Sequence, residues 1–98
     1  METSTISEAE SLSLQQNIQQ VSGALLRLTN EWRELRRDED RQRRMPAIER
    51  LMAALDEAWK DAMTEGQEKL LPEHRGDALL YYQKGLAGYR SLFPAAKA

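Results

Sequence analysis

The chain has no cysteine and only one histidine among its 98 residues. The first absence excludes a disulfide scaffold, a thiolate zinc site and a cysteine nucleophile. The second leaves His74 as the sole nitrogen ligand, whereas a catalytic zinc centre takes three protein ligands. A metal at His74 would need carboxylates such as Glu73 or Asp77 beside it, so a connector or capping histidine is the expectation. Long apolar runs are also lacking: none reaches the roughly 18 residues of a membrane span. The first residues, Met1, Glu2, Thr3, Ser4 and Thr5, are polar and acidic, unlike a basic leader before an apolar stretch. These features predict a soluble, cytoplasmic protein without membrane contact. There is no Gly-rich phosphate loop, because Gly85-Leu86-Ala87-Gly88 sits in a helical pattern with no strand before it. With no cofactor cradle, metal set or nucleophile to name, no cofactor is expected and the chain does not read as an enzyme.

Glycine and proline are scarce, at five and three residues. Met45-Pro46, Gly66 and Leu71-Pro72 with Gly76 punctuate the chain into three helical segments, predicted over residues 7–44, 46–71 and 77–93. The first opens at Ser7 with Glu10 three residues on, a capping box. Its apolar residues, Leu14, Ile18, Val21, Leu25, Leu28, Trp32 and Leu35, alternate in steps of four and three, a heptad seam. Glu39 and Gln42 carry the seam on as an exposed extension, and Pro46 is expected to end it and to begin the second helix. That helix carries Ile48, Met52, Leu55, Trp59, Met63 and Leu70. The third is expected to be capped by Asp77 and to carry Leu79, Tyr82, Leu86, Tyr89 and Phe93.

An all-α fold follows: an elongated helical hairpin plus a third helix, a three-helix bundle forming one domain over residues 1–98, with 1–6 and 95–98 frayed. At 1.5 Å per residue the first helix would run about 55 Å, so a second subunit is expected to help cover it. A hairpin turning near Arg44 to Pro46 sets Trp32 against Trp59 and Leu35 against Leu55. A third helix returning along the second brings Tyr89 to Trp59. Trp32, Trp59 and Tyr89 should then form one aromatic cluster.

Paired acids such as Glu31 with Glu34, Asp56 with Asp61 or Glu65 with Glu68 lie on the polar faces of these helices and read as solvated surface. The densest basic feature includes Arg36, Arg37, Arg41, Arg43 and Arg44. Its guanidinium forks suit phosphates, and Trp32 could stack on a base. From residue 27 to residue 50, however, eight basic and six acidic residues give a net charge of only +2. Nucleic-acid binding is therefore the alternative reading, with an acidic protein partner between the two.

The apolar surplus points elsewhere. The third helix carries Leu80, Tyr81 and Leu92 beyond its stripe, more than one packing face can bury. Gly85 and Gly88, three residues apart, imply that another backbone or ring comes close, either a partner or the first two helices. With Leu12, Leu14 and Ile18 near the start of the first helix, these residues are the expected partner contacts. The leading reading is a protein-interaction module, an adaptor, chaperone-like or regulatory subunit, that binds a protein partner through an apolar helix face and forms a homodimer.

Overall fold

A computed structural model of the chain describes residues 7–64 and 67–93. Three helices dominate, α1 (Glu8–Glu34), α2 (Asp38–Ala62) and α3 (Pro72–Arg90), with a minimal hairpin of β1 (Met63–Thr64) and β2 (Gln67–Glu68) between the last two. The all-α three-helix fold is as expected. The ends expected to fray, residues 1–6 and 95–98, lie outside the described residues, as do Glu65 and Gly66.

The capping box forms. Glu10 N–H donates to Ser7 Oγ at 3.0 Å, and Ser7 N–H donates to Glu10 Oε1 at 3.3 Å. This satisfies two N–H groups that helical geometry leaves unpaired. At its other end α1 stops at Glu34 rather than continuing to residue 44, because Leu35 is extended, with ψ 138°. Three consecutive acids, Asp38, Glu39 and Asp40, form the first turn of α2. There they meet the positive end of the new helix dipole and favour a start at that point. Arg41 closes the corner. Its Nε donates to Leu35 O at 3.0 Å, its guanidinium lies 4.8 Å from the Trp32 ring centroid, and Trp32 Nε1 donates to Arg41 O at 3.2 Å.

Pro46 is thus inside α2 rather than at its boundary. A helix-interior proline removes one backbone donor and crowds the preceding turn. Pro46 and Gln42 are both exposed, which puts this defect on the solvent side of α2, where a proline is best tolerated. The second helix was expected to reach residue 71, but it ends at Ala62. Thr64 Oγ1 donates to Lys60 O at 2.6 Å, and β1 and β2 pair antiparallel, Met63 with Glu68 and Thr64 with Gln67. Helix α3 begins at Pro72, whose missing N–H and fixed φ suit the first helical position, so Asp77 lies inside the helix and caps nothing. It ends at Arg90, short of the expected Phe93.

Both α2 and α3 reverse direction, so α3 runs parallel to α1 and packs chiefly along it. Ser11 meets Leu71 and His74, Ser22 meets Tyr81, and Arg33 meets Ser91. The fully buried core comprises Ile18, Leu25, Ile48, Leu55, Ala62, Leu70 and Ala78. On α1 the buried positions are Ser11, Gln15, Ile18, Ser22, Leu25 and Thr29. The expected seam contributes Ile18 and Leu25 to that face, while Leu14, Val21, Leu28 and Trp32 are half-buried at its margin.

The early corner also undoes the expected aromatic cluster. Moving the turn from Pro46 to the vicinity of Arg36 shifts the pairing of α2 along α1 by about 18 residues, or about five helical turns, and places Leu55 near Ser22, both of them against Gly85. Trp59 instead stacks on Tyr82, with ring centroids 5.1 Å apart, Trp32 sits at the corner under Arg41, and Tyr89 meets Phe93 edge-on. The molecule measures 59 × 29 × 18 Å with a radius of gyration of 15.9 Å. A compact chain of this length would have about 13 Å, so the elongation is real even with the shorter α1.

Candidate functional site

The close contact between α1 and α3 is made by small side chains. Ser22 Oγ donates to Tyr81 O at 2.6 Å. A Cβ at Gly85 would lie 2.6 Å from Leu55 Cδ2 and 3.0 Å from Ser22 Oγ, and one at Gly88 would lie 2.6 Å from Leu26 Cδ2. Gly85 and Gly88 therefore admit α1 and α2 of the same chain. Ile18 and Leu92 are buried as well, at 0% and 8% exposure. A partner could not touch Ile18, Gly85 or Leu92 without opening the bundle, and Leu14 and Tyr81 are half-buried against the core. Of the expected partner contacts only Leu12 and Leu80 stand clearly in solvent, at 40% and 48% exposure. The structure adds Leu79 and Phe93 to the exposed set.

The outer surface of α3 holds more than isolated leucines. Glu73, Gly76, Leu80, Gln83, Ala87 and Arg90 are all exposed. Their spacing alternates three and four, which places them on one continuous helical face. A shallow depression lined by Gln83, Leu86, Ala87, Arg90 and Ser91 runs along the C-terminal half of this face. Counting only apolar residues hides the stripe, since glutamine, alanine and glycine occupy half of it.

The arginine-rich corner is neutralised from within. Arg37 pairs with Glu39 at 2.7 Å, Arg43 with Asp40 at 3.5 Å, and Arg44 with Glu31 at 2.9 Å. Arg41 is committed to Leu35 and Trp32, and Arg36 is exposed. Each exposed pair contributes at most about 1 kcal/mol. Their effect on recognition is larger, because a phosphate must displace a carboxylate at three of these five arginines.

At the opposite end of the molecule His74 joins α3 to α1. Ser11 Oγ accepts from Leu71 N–H at 2.7 Å and shares a hydrogen bond with His74 Nδ1 at 2.6 Å. Glu8 and Glu73 bring their carboxylates close, so that one donor atom from each and one from His74 lie within 4.8 Å of one another. These three could hold a divalent cation. The setting disfavours it, since Glu8 and Glu73 occupy the first turns of α1 and α3, where the dipoles repel a cation and attract carboxylates.

Tyr82 bridges α3 and α2. Its hydroxyl donates to Asp56 Oδ1 at 2.7 Å. That hydrogen bond, then burial and the Asp56 charge, raise it above the ordinary tyrosine value, while Arg90 acts in the opposite direction. The arrangement ties α3 to α2 and keeps the phenol protonated.

No buried side-chain polar atom among the described residues lacks a hydrogen-bond partner. None of the described helices is long and apolar enough to cross a membrane. Comparison with protein-family models, with curated proteins and with solved structures finds no match.

Proposed function

We propose that the chain is a non-catalytic protein-interaction module that engages a helical protein segment through the outer face of α3. The observation that carries this reading is the exposure of Leu79 and Leu80, at 39% and 48%, on a helix whose opposite side is already packed. Exposed neighbouring leucines on a face continued by small and uncharged residues favour helix-on-helix docking, with charged groups at the rim setting register. The nucleic-acid alternative loses support from the internal pairing of Arg37, Arg43 and Arg44. A cytoplasmic setting and an adaptor or regulatory role belong to the same proposal.

The test is site-specific photo-crosslinking in the native host, with the photoreactive residue at Leu80 and, as control, at exposed Glu57 on α2. A discrete protein adduct from position 80 and none from position 57 is the expected result. Absence of an adduct at position 80, or an adduct to nucleic acid, would overturn the reading.

A further inference from the structure

The exposed face of α3 is complementary to itself when reversed. Along it the order is Glu73, Gly76, Leu80, Gln83, Ala87, Arg90, an acid at one end, a base at the other, and small residues one step in from each. Glu73, Leu80 and Ala87 are seven residues apart, as are Gly76, Gln83 and Arg90. In an antiparallel pair of helices, positions of the first set face positions of the second. Pairing two copies about the midpoint between Leu80 and Gln83 sets Glu73 against the second copy's Arg90, Gly76 against its Ala87, and Leu80 against its Gln83. The flanking positions agree: Asp77 approaches Lys84 of the other copy, and Leu79 approaches Leu86. A parallel, in-register pairing would instead put Glu73 against Glu73 and Arg90 against Arg90, which like-charge repulsion disfavours. A Cβ at Gly76 would meet nothing within 4 Å inside the chain, and Ala87 is exposed, so both ends of the face admit a close backbone.

We propose that the occupant of this face is a second copy of the same chain, docked through α3 against α3 in antiparallel register about Leu80 and Gln83. This rests on the protein-binding reading and names the partner. An isologous contact of this kind closes on itself as a two-fold dimer and leaves no open site for a filament. One helix of 19 residues, about 28 Å long at 1.5 Å per residue, gives an interface at the small end of the specific range. The dimer is therefore concentration-dependent rather than obligate.

The register is tested by charge exchange on the full chain, followed by sedimentation equilibrium. The wild-type mass rises from 11.3 kDa towards twice that value with concentration. Glu73→Arg alone and Arg90→Glu alone each place two like-charged pairs in the dimer, and each moves the association midpoint to about tenfold higher concentration. An equimolar mixture of the two variants recovers wild-type association, because both end pairs are again opposite in sign. The double variant Glu73→Arg/Arg90→Glu self-associates as wild type does, which separates loss of the interface from loss of folding, with helical circular dichroism as the check on each protein. A wild-type mass fixed at 11.3 kDa, single variants that associate normally, or a mixture that is not rescued would each overturn the second-copy proposal. An adduct from Leu80 to a different protein would also overturn it while leaving the protein-binding reading standing.

Discussion

The three glycines of α3 share a residue type and differ in what surrounds them, and that difference decides what a methyl group would do. At Gly76 a Cβ meets nothing within 4 Å, so Gly76→Ala gains helix propensity and stabilises by about 0.5–1 kcal/mol. At Gly88 the conflict is with the end of Leu26, a half-buried side chain that can swing aside. The propensity gain and the contact cost nearly cancel there. At Gly85 the methyl meets Leu55, fully buried, and Ser22, whose hydroxyl is held by Tyr81 O. Gly85→Ala therefore destabilises, by about 1–3 kcal/mol as an overpacked site. Urea melts of the three variants should rank Gly76→Ala above Gly88→Ala above Gly85→Ala, and a reversed order would show that α3 does not approach α1 at Gly85. Tyr82 offers a second measurement at this scale. Its hydroxyl is raised in the folded chain, so the folded state holds the phenol proton more tightly than the unfolded chain does. The resulting stabilisation is complete below the unfolded value near pH 10 and is lost as pH climbs through the higher folded value. Tyr82→Phe should cost little at neutral pH, about 0.5–1.5 kcal/mol for one hydrogen bond, and should flatten the alkaline fall in melting temperature. An unchanged alkaline slope in that variant would mean that the Asp56 contact does not persist in solution.

Among the elements, the helices were legible and their boundaries less so, for reasons that sit in identifiable residues. Ser7 with Glu10 marks the start of α1 by local chemistry alone, and the structure forms that cap. The first corner is poorly legible because Pro46 is a stronger local signal than the acids Asp38, Glu39 and Asp40 that begin α2. An exposed proline can nevertheless remain on the solvent side of a helix, and three acids in a first turn favour initiation directly. The two-residue hairpin after Ala62 has no periodicity to detect. Its local hint is Thr64, a β-branched residue whose hydroxyl returns to Lys60 O. The inner face of α1 is half-visible in the sequence: Ile18 and Leu25 lie on the apolar seam, while the polar Ser11, Ser22 and Thr29 complete the buried face without an apolar signal. Their buried hydroxyls are satisfied by the chain itself, Ser22 by Tyr81 O and Thr29 by Leu26 O. Small satisfied hydroxyls opposite glycines allow two helices to approach closely. The outer face of α3 is hard to see for the same reason: beside the exposed Leu79 and Leu80 it is continued by Gly76, Gln83 and Ala87, which carry no apolar periodicity.

At the scale of the whole molecule, shape determines where stability is concentrated. The shortest principal extent is 18 Å against 59 Å for the longest, so the core is drawn out along the long axis. Leu55 sits in that core, fully buried and within contact of Gly85 on α3. Trp32, the larger side chain, is half-buried at the corner between α1 and α2, held by Arg41. Side-chain size alone ranks Trp32 as the costlier residue to truncate, whereas position ranks Leu55 first. Removing the buried Leu55 side chain leaves a cavity beside α3, and Leu55→Ala should cost about 2–5 kcal/mol. Trp32→Ala forfeits a half-buried cation–π contact of about 0.5–2 kcal/mol, the hydrogen bond to Arg41 O and a partial apolar burial, and it leaves α3 in place. A chain of this size has about 5–15 kcal/mol of total stability, so the first substitution removes a large share of it and the second a modest one. Equilibrium urea unfolding of both variants is the measurement. If Trp32→Ala proved as costly as Leu55→Ala, the corner rather than the midline would be holding the three helices together, and α3 would owe its place to the hairpin rather than to the shared core.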